Sequence, residues 1–227
     1  MTMRRWHCAV AVSGMMATIA ASLPAQAAPV TWPNTFLARV EAEAIVQTMN
    51  GNFLASNSAT LTLEQWCNAH HLAGTDAKIK AHLIRDAVKP ITPEQRARLK
   101  VGPDEKINYR HVDLVCGDHT LSIADNWYVP SRLTAEMNKS LETTDTPFGK
   151  AVMDLHFYRQ NFSDEVLWHP LPQGWDMQKR PASTKAPMPI PQELVQHRAL
   201  LFTKDGMPFC EVRETYQKEM LAFPLPR

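Results

Sequence analysis

YRHVDLVCGDHTLSIADNWYVPSRLTAEMNKSLETTDTPFG, residues 109–149, decides how the rest of the chain is read. Tyr109–Cys116 and Leu121–Val129 are rich in Val, Ile, Leu, Tyr and Trp and alternate with period two, so both predict strands. Gly117-Asp118-His119 lies between them as the turn, which makes the pair a β-hairpin. Pro130 ends the second strand because it has no N–H for a ladder. Ser131 or Thr134 then caps a helix that runs to about Leu141. Thr146-Pro147-Phe148-Gly149 opens another helical turn, with proline at its first position.

Beyond this block, Leu155–Phe162 alternates again as a strand. Trp168–Pro191 is dense in proline and polar residues and reads as a long ordered loop or flap, because Trp168, Trp175 and Met188 need burial. His197–Phe202 and Pro208–Tyr216 form the last two strands, joined at Asp205-Gly206. Before the block, Asn34–Asn50 carries Phe36, Val40, Ala44, Ile45 and Met49 at helical spacing. Ser58–Thr62 is a cap region leading into a helix over Leu63–Leu72, closed by Gly74. Ile79–Ala87 reads as a strand, and Thr92-Pro93 starts a short helix to about Lys100. The expected fold class is α+β: an antiparallel sheet of about six strands flanked by helices.

The 227 residues carry a formal net charge of +1, which suits one domain with a real core and excludes a broad basic surface for nucleic acid. Arg4 and Arg5 followed by the apolar run Ala9–Leu23 and Ala25-Gln26-Ala27 fit a cleavable signal peptide. The expected division is therefore a signal over 1–27, an N-terminal helix segment over 28–54 and one domain over 55–227, with the proline-rich flap at 168–191. That implies a periplasmic or secreted protein with no membrane contact after cleavage. Cys67, Cys116 and Cys210 remain, and form either one disulfide with a free thiol or three buried thiols. No C-x-x-C pair or zinc-like Cys/His spacing is present, and the adjacent His70-His71 point to different helix faces, so no metal or cofactor is expected.

Charges on apolar strand faces are the local clue to function. Arg85 follows Ile79, Ala81 and Leu83; Arg159 follows Leu155 and Phe157; Glu214 lies with Cys210, Val212 and Tyr216. They read either as sheet-edge ion pairs with snorkelling stems, or as a pocket in which two guanidinium groups take carboxylates and one carboxyl moves a proton. In the hairpin, Arg110, Val112, Leu114 and Cys116 share one face and His111, Asp113 and Val115 the other. His111 and Asp113 stand about 7 Å apart, too far for a direct bond.

Over about residues 55–216 these pieces resemble the chorismate pyruvate-lyase superfamily, whose antiparallel sheet is shared with effector domains of some transcription regulators (UTRA-like). The resemblance rests on Ser58–Glu64, Leu83–Asp86, the hairpin Tyr109–Pro130, the turn Thr146–Gly149 and the closing strand Gly206–Tyr216. It implies a metal-free lyase that eliminates pyruvate from chorismate to give 4-hydroxybenzoate, or acts on a related aromatic carboxylate. The other implied reading is a non-catalytic periplasmic binder of a small aromatic carboxylate on the same fold. Glu214 resembles the catalytic glutamate, with Glu211 and Arg213 as competing alignments. The essential arginine falls at His111, or at Arg110 with a one-residue shift. Phe148 and Ala59 resemble backbone contacts to a ligand carboxylate, and Arg85 and Arg159 are the expected carboxylate-binding guanidinium groups.

Overall fold

A computed structural model describes residues 30–225, so the expected signal peptide lies outside the described residues. The elements in chain order are β1 (Pro33–Asn34), α1 (Phe36–Leu54), α2 (Ala59–Ala69), β2 (Lys80–Leu83), α3 (Pro93–Leu99), β3 (Asn108–Cys116) and β4 (His119–Tyr128). They continue with α4 (Ala135–Thr143), α5 (Phe148–Ala151), β5 (Tyr158–Val166), β6 (Thr184–Pro187), β7 (Glu193–Phe202) and β8 (Pro208–Gln217). Six strands form one antiparallel sheet in the order β2-β3-β4-β8-β7-β5, and β1 pairs with β6 in a separate two-stranded ribbon. The fold class is α+β, as the alternation of the strands predicts. No described helix is long and apolar enough to cross a membrane.

The hairpin β3–β4 closes through Gly117 and Asp118 alone. Gly117 sits at φ +57°, and a Cβ there would lie 2.9 Å from Ala73 Cβ, so both backbone conformation and close approach demand glycine. A bulge between Leu114 and Val115 shifts the register with β4. Thr134 caps α4 by accepting from Met137 N–H, and Thr92 and Gln95 form a reciprocal capping box on α3.

Three expectations are corrected in detail. The buried face of α1 is Ala38, Ala42, Val46, Met49 and Phe53 rather than the stripe through Phe36 and Val40, because small alanines let the helix lie close to its neighbours. Helix α2 begins at Ala59, four residues earlier than the apolar pattern suggests, because Ser58 accepts from Leu61 N–H and starts it. Strand β2 stops at Leu83, well short of Ala87.

The proline-rich segment after Trp168 is held down at Trp168 and Met188, both buried, and Met188 N–H bonds Trp32 C=O. A disulfide joins Cys67 of α2 to Cys116 at the end of β3, and Cys210 is a buried free thiol. Of the two cysteine arrangements left open by the sequence, the structure takes the first.

Candidate functional site

Period-two alternation gives the sheet two different faces. Pairing places Val112, Ala124, Glu214 and His197 side by side on one of them, and His111, Asp125, Arg213 and Arg198 on the other. A cavity lies on the first face, beneath the starts of α2 and α5. Ser58, Ala59 and Thr60 form its roof with Phe148 and Gly149, while Asn126, Val212, Glu214 and Arg159 belong to its floor. It leaves about 30 Å³ for the centre of a water molecule, room for about two waters.

Arg159 and Glu214 meet inside this wall, with Arg159 Nη2 2.7 Å from Glu214 Oε2 and side-chain exposures of only 4% and 7%. The contact is a buried ion pair, and Glu214 is the carboxylate that Nη2 meets. Arg159 Nε donates to Asn161 Oδ1 at 2.8 Å. Burial works most strongly against the charge on Arg159, but Glu214, Tyr216 and Cys210 together hold the guanidinium above its ordinary value. Tyr216 OH donates to Glu214 Oε2 at 3.4 Å, and its phenol is pushed up by burial and then by Glu214. His197, fully buried beside Glu214, contacts Asn50 Oδ1 through Nε2 at 2.6 Å. Burial depresses it to about 4, so it is a neutral imidazole at pH 7.

Asn126 is the cavity residue that strand reasoning missed. Its Nδ2 is buried without an acceptor among the described residues. It lies on the apolar face with Ala124, so the argument that singled out Glu214 also applies to it.

The other expected site residues divide between this cavity and other parts of the fold. Ala59 and Phe148 line the cavity with Glu214 and Arg159; Arg110, His111 and Arg85 do not. Arg110 is on the cavity face of β3, but its Nε donates to Leu141 C=O and its Nη2 to Thr146 C=O, both at 3.0 Å. His111 points to the opposite face, where its Nδ1 meets Asp125 Oδ1 at 2.7 Å. Arg85 lies past the end of β2, exposed, with Nη1 donating to Glu142 C=O at 3.2 Å. The alternatives Glu211 and Arg213 also belong to the opposite face. There Glu211 is bound by Arg98 and Arg198, and Asp125 by Arg213, Lys89 and Tyr109. Burial pushes the Asp125 carboxyl up, but these donors together with His111 hold it well below the usual carboxylate range. No cluster of three or more His, Cys, Asp or Glu able to hold a metal occurs among the described residues.

Sheet and flanking helices define an α+β protein built on one six-stranded antiparallel sheet. The chain belongs to the family of protein y4mC of Sinorhizobium fredii, described as uncharacterized, with which it shares 52% identity over 196 residues, 86% of this chain and 83% of that protein. No family model matches the chain.

Among solved structures, PhnF of Mycobacterium smegmatis matches with a TM-score of 0.48 and 10% identity over 77% of this chain and 70% of its own. YydK of Bacillus subtilis, described as a possible transcriptional regulator, matches at 0.43 and 17% over 76% and 67%. The ligand-binding domain of a GntR-family regulator from Bordetella bronchiseptica matches at 0.40 and 13% over 61% and 82%.

These findings correct the expected activity. Chorismate lyase activity finds no support in them: YydK is described as a possible transcriptional regulator and the Bordetella chain as a ligand-binding domain, and neither description supports a signal peptide or a periplasmic location. The geometry agrees, since neither Arg110 nor His111 shares the cavity with Glu214.

Proposed function

We propose that the chain is a non-catalytic binding protein that holds a small, acceptor-rich molecule, a carboxylate above all, in the cavity under α2 and α5. One observation carries this reading: the cavity wall presents a buried donor with no acceptor among the described residues, Asn126 Nδ2. Buried donors left unpaired cost free energy, and a ligand oxygen removes that cost. The roof adds more donors, because the N–H groups of Ala59 and Thr60 precede the first intrahelical bond of α2, from Thr62 N–H to Ser58 C=O. The helix dipole also favours negative charge there. Phe148, Phe157 and Leu201 provide an apolar wall for the rest of the ligand. The description of one matched chain as a ligand-binding domain is in keeping with a small-molecule partner. The Cys67–Cys116 disulfide supports a working place in an oxidising compartment.

The test is thermal unfolding with a panel of small carboxylates, in the wild type and in Gly149→Val. A Cβ at 149 lies 3.6 Å from Ser58 Oγ and Thr60 Oγ1, both residues of the roof, so the added methyl groups of valine crowd the cavity. A ligand at 100 times its Kd stabilises by about 2.7 kcal/mol, and Gly149→Val abolishes that gain. Stabilisation that survives the valine, or no stabilising carboxylate in the panel, rules the reading out.

A further inference from the structure

A second cavity lies on the open edge of β3. Strand β2 ends at Leu83, paired with Val112, and Ile84 N–H to His111 C=O is the last main-chain bond across that edge. Beyond it, β3 continues without a strand on that edge, and the space is bounded by Ile84, Arg85 and Ala87 and by Leu141 and Glu142 of α4. The cavity holds about 200 Å³, much more than the space beside Glu214, and shares no lining residue with it.

Two guanidinium groups belong to this wall, Arg85 and Arg110. Arg110 is only 3% exposed, yet its two hydrogen bonds go to main-chain carbonyls and Nη1 has no acceptor among the described residues. No described carboxylate pairs with it, whereas the other deeply buried arginine head, Arg159, has Glu214. A buried cation without a counter-charge is costly. The cost is visible in Arg110 itself, which burial lowers to about 10 although Tyr128 and Cys210 act in the opposite direction. Arg85 is exposed and spends Nη1 on Glu142 C=O. Glu142 is the one carboxylate on the wall, and its Oε1 accepts from Asn108 Nδ2 at 3.4 Å. His111 and Tyr109 complete the polar side, both already bonded to Asp125.

We infer that this edge cavity binds a small oxyanion, the phosphate or carboxylate group of a small molecule, between Arg85 and the buried guanidinium of Arg110. Planar guanidinium forks suit either group bidentately. The competing account is structural: Arg110 simply caps the carbonyls of α4 and the following turn, and Glu142 balances the charge from a distance.

The experiment titrates the full chain with inorganic phosphate and, separately, with acetate at constant ionic strength, by calorimetry and thermal unfolding. The variants are Arg85→Ala, chosen because Arg85 is exposed and its loss spares the fold, Glu142→Gln and Gly149→Val. At least one probe binds the wild type. Arg85→Ala weakens it about tenfold, the loss of one charge-assisted hydrogen bond. Glu142→Gln tightens it by removing the competing carboxylate, and Gly149→Val leaves it unchanged. A response to phosphate alone, to acetate alone or to both identifies the group bound. No response to either probe, wild-type affinity in Arg85→Ala, or weaker binding in Glu142→Gln overturns the inference. Loss of the response in Gly149→Val moves the anion to the first cavity and overturns it as well. Because the first site is tested by the valine and the second by Arg85, failure of one leaves the other separately decided.

Discussion

Removing the Glu214 charge should be among the most damaging single changes on the cavity face. Arg159 and Glu214 are 4% and 7% exposed at the side chain, so Glu214→Gln leaves a guanidinium buried with no counter-charge. Breaking a buried pair from one side costs about 3–5 kcal/mol. In a domain of this size each kcal/mol moves the thermal midpoint by about 2–4 °C, so the variant melts roughly 6–20 °C below the wild type. The double variant Arg159→Met/Glu214→Leu removes both charges and fills the space with apolar atoms, and it recovers most of the loss. The assay is reversible thermal and urea unfolding of Glu214→Gln and of a closed cycle of wild type, Arg159→Met, Glu214→Leu and the double variant, which isolates the coupling between the two sites. A Glu214→Gln cost below about 1 kcal/mol is the value of a solvated surface pair. That result, or strict additivity of the two sites, would refute the claim that the sheet buries this pair.

Other consequences follow from the same geometry. Cys67 and Cys116 are 49 residues apart, and a loop of that length gives about 4 kcal/mol on the chain-entropy account; Cys67→Ser/Cys116→Ser or a strong reductant should lower the urea midpoint accordingly, and an unchanged midpoint would argue against the bond. Asp125 has its folded-state pKa depressed below the unfolded value of about 3.9, so its contribution is complete above that pH and is lost as pH falls through the folded value. Acid unfolding below about pH 4 should therefore be less steep in Asp125→Asn than in the wild type, and identical slopes would contradict the network on that face. Gly117→Ala combines φ +57° with a 2.9 Å approach to Ala73 Cβ and should cost more than about 1 kcal/mol, measured by denaturant midpoint; a neutral result would mean that the turn relaxes.

The architecture was legible because each strand buries one face and so writes a period-two pattern, and because the caps at Ser58, Thr92 and Thr134 are local devices that leave their mark in a few residues. Register was less legible. Aligning an arginine at His111 or Arg110 is a choice of one residue, and on a strand one residue is the difference between faces. The structure sends His111 to Asp125 and turns Arg110 towards the carbonyls of Leu141 and Thr146, contacts separated by 14 to 36 residues that no local pattern encodes. Arg85 misleads for a related reason, because the alternation Ile79, Ala81, Leu83, Arg85 continues past the point where β2 loses its partner. The two faces then differ in a way that only pairing reveals. Asp125 and Glu211, both buried, are each surrounded by several donors from neighbouring strands and α3 or the segment before it. Across the sheet the balance reverses, with Asn126 Nδ2 and Arg110 Nη1 carrying donors that no described residue accepts. A protein that satisfies its buried acceptors on one face and leaves donors open on the other has room for an external acceptor only on the second, and that asymmetry directs the search for a ligand to the face under α2 and α5 and to the adjoining edge of β3.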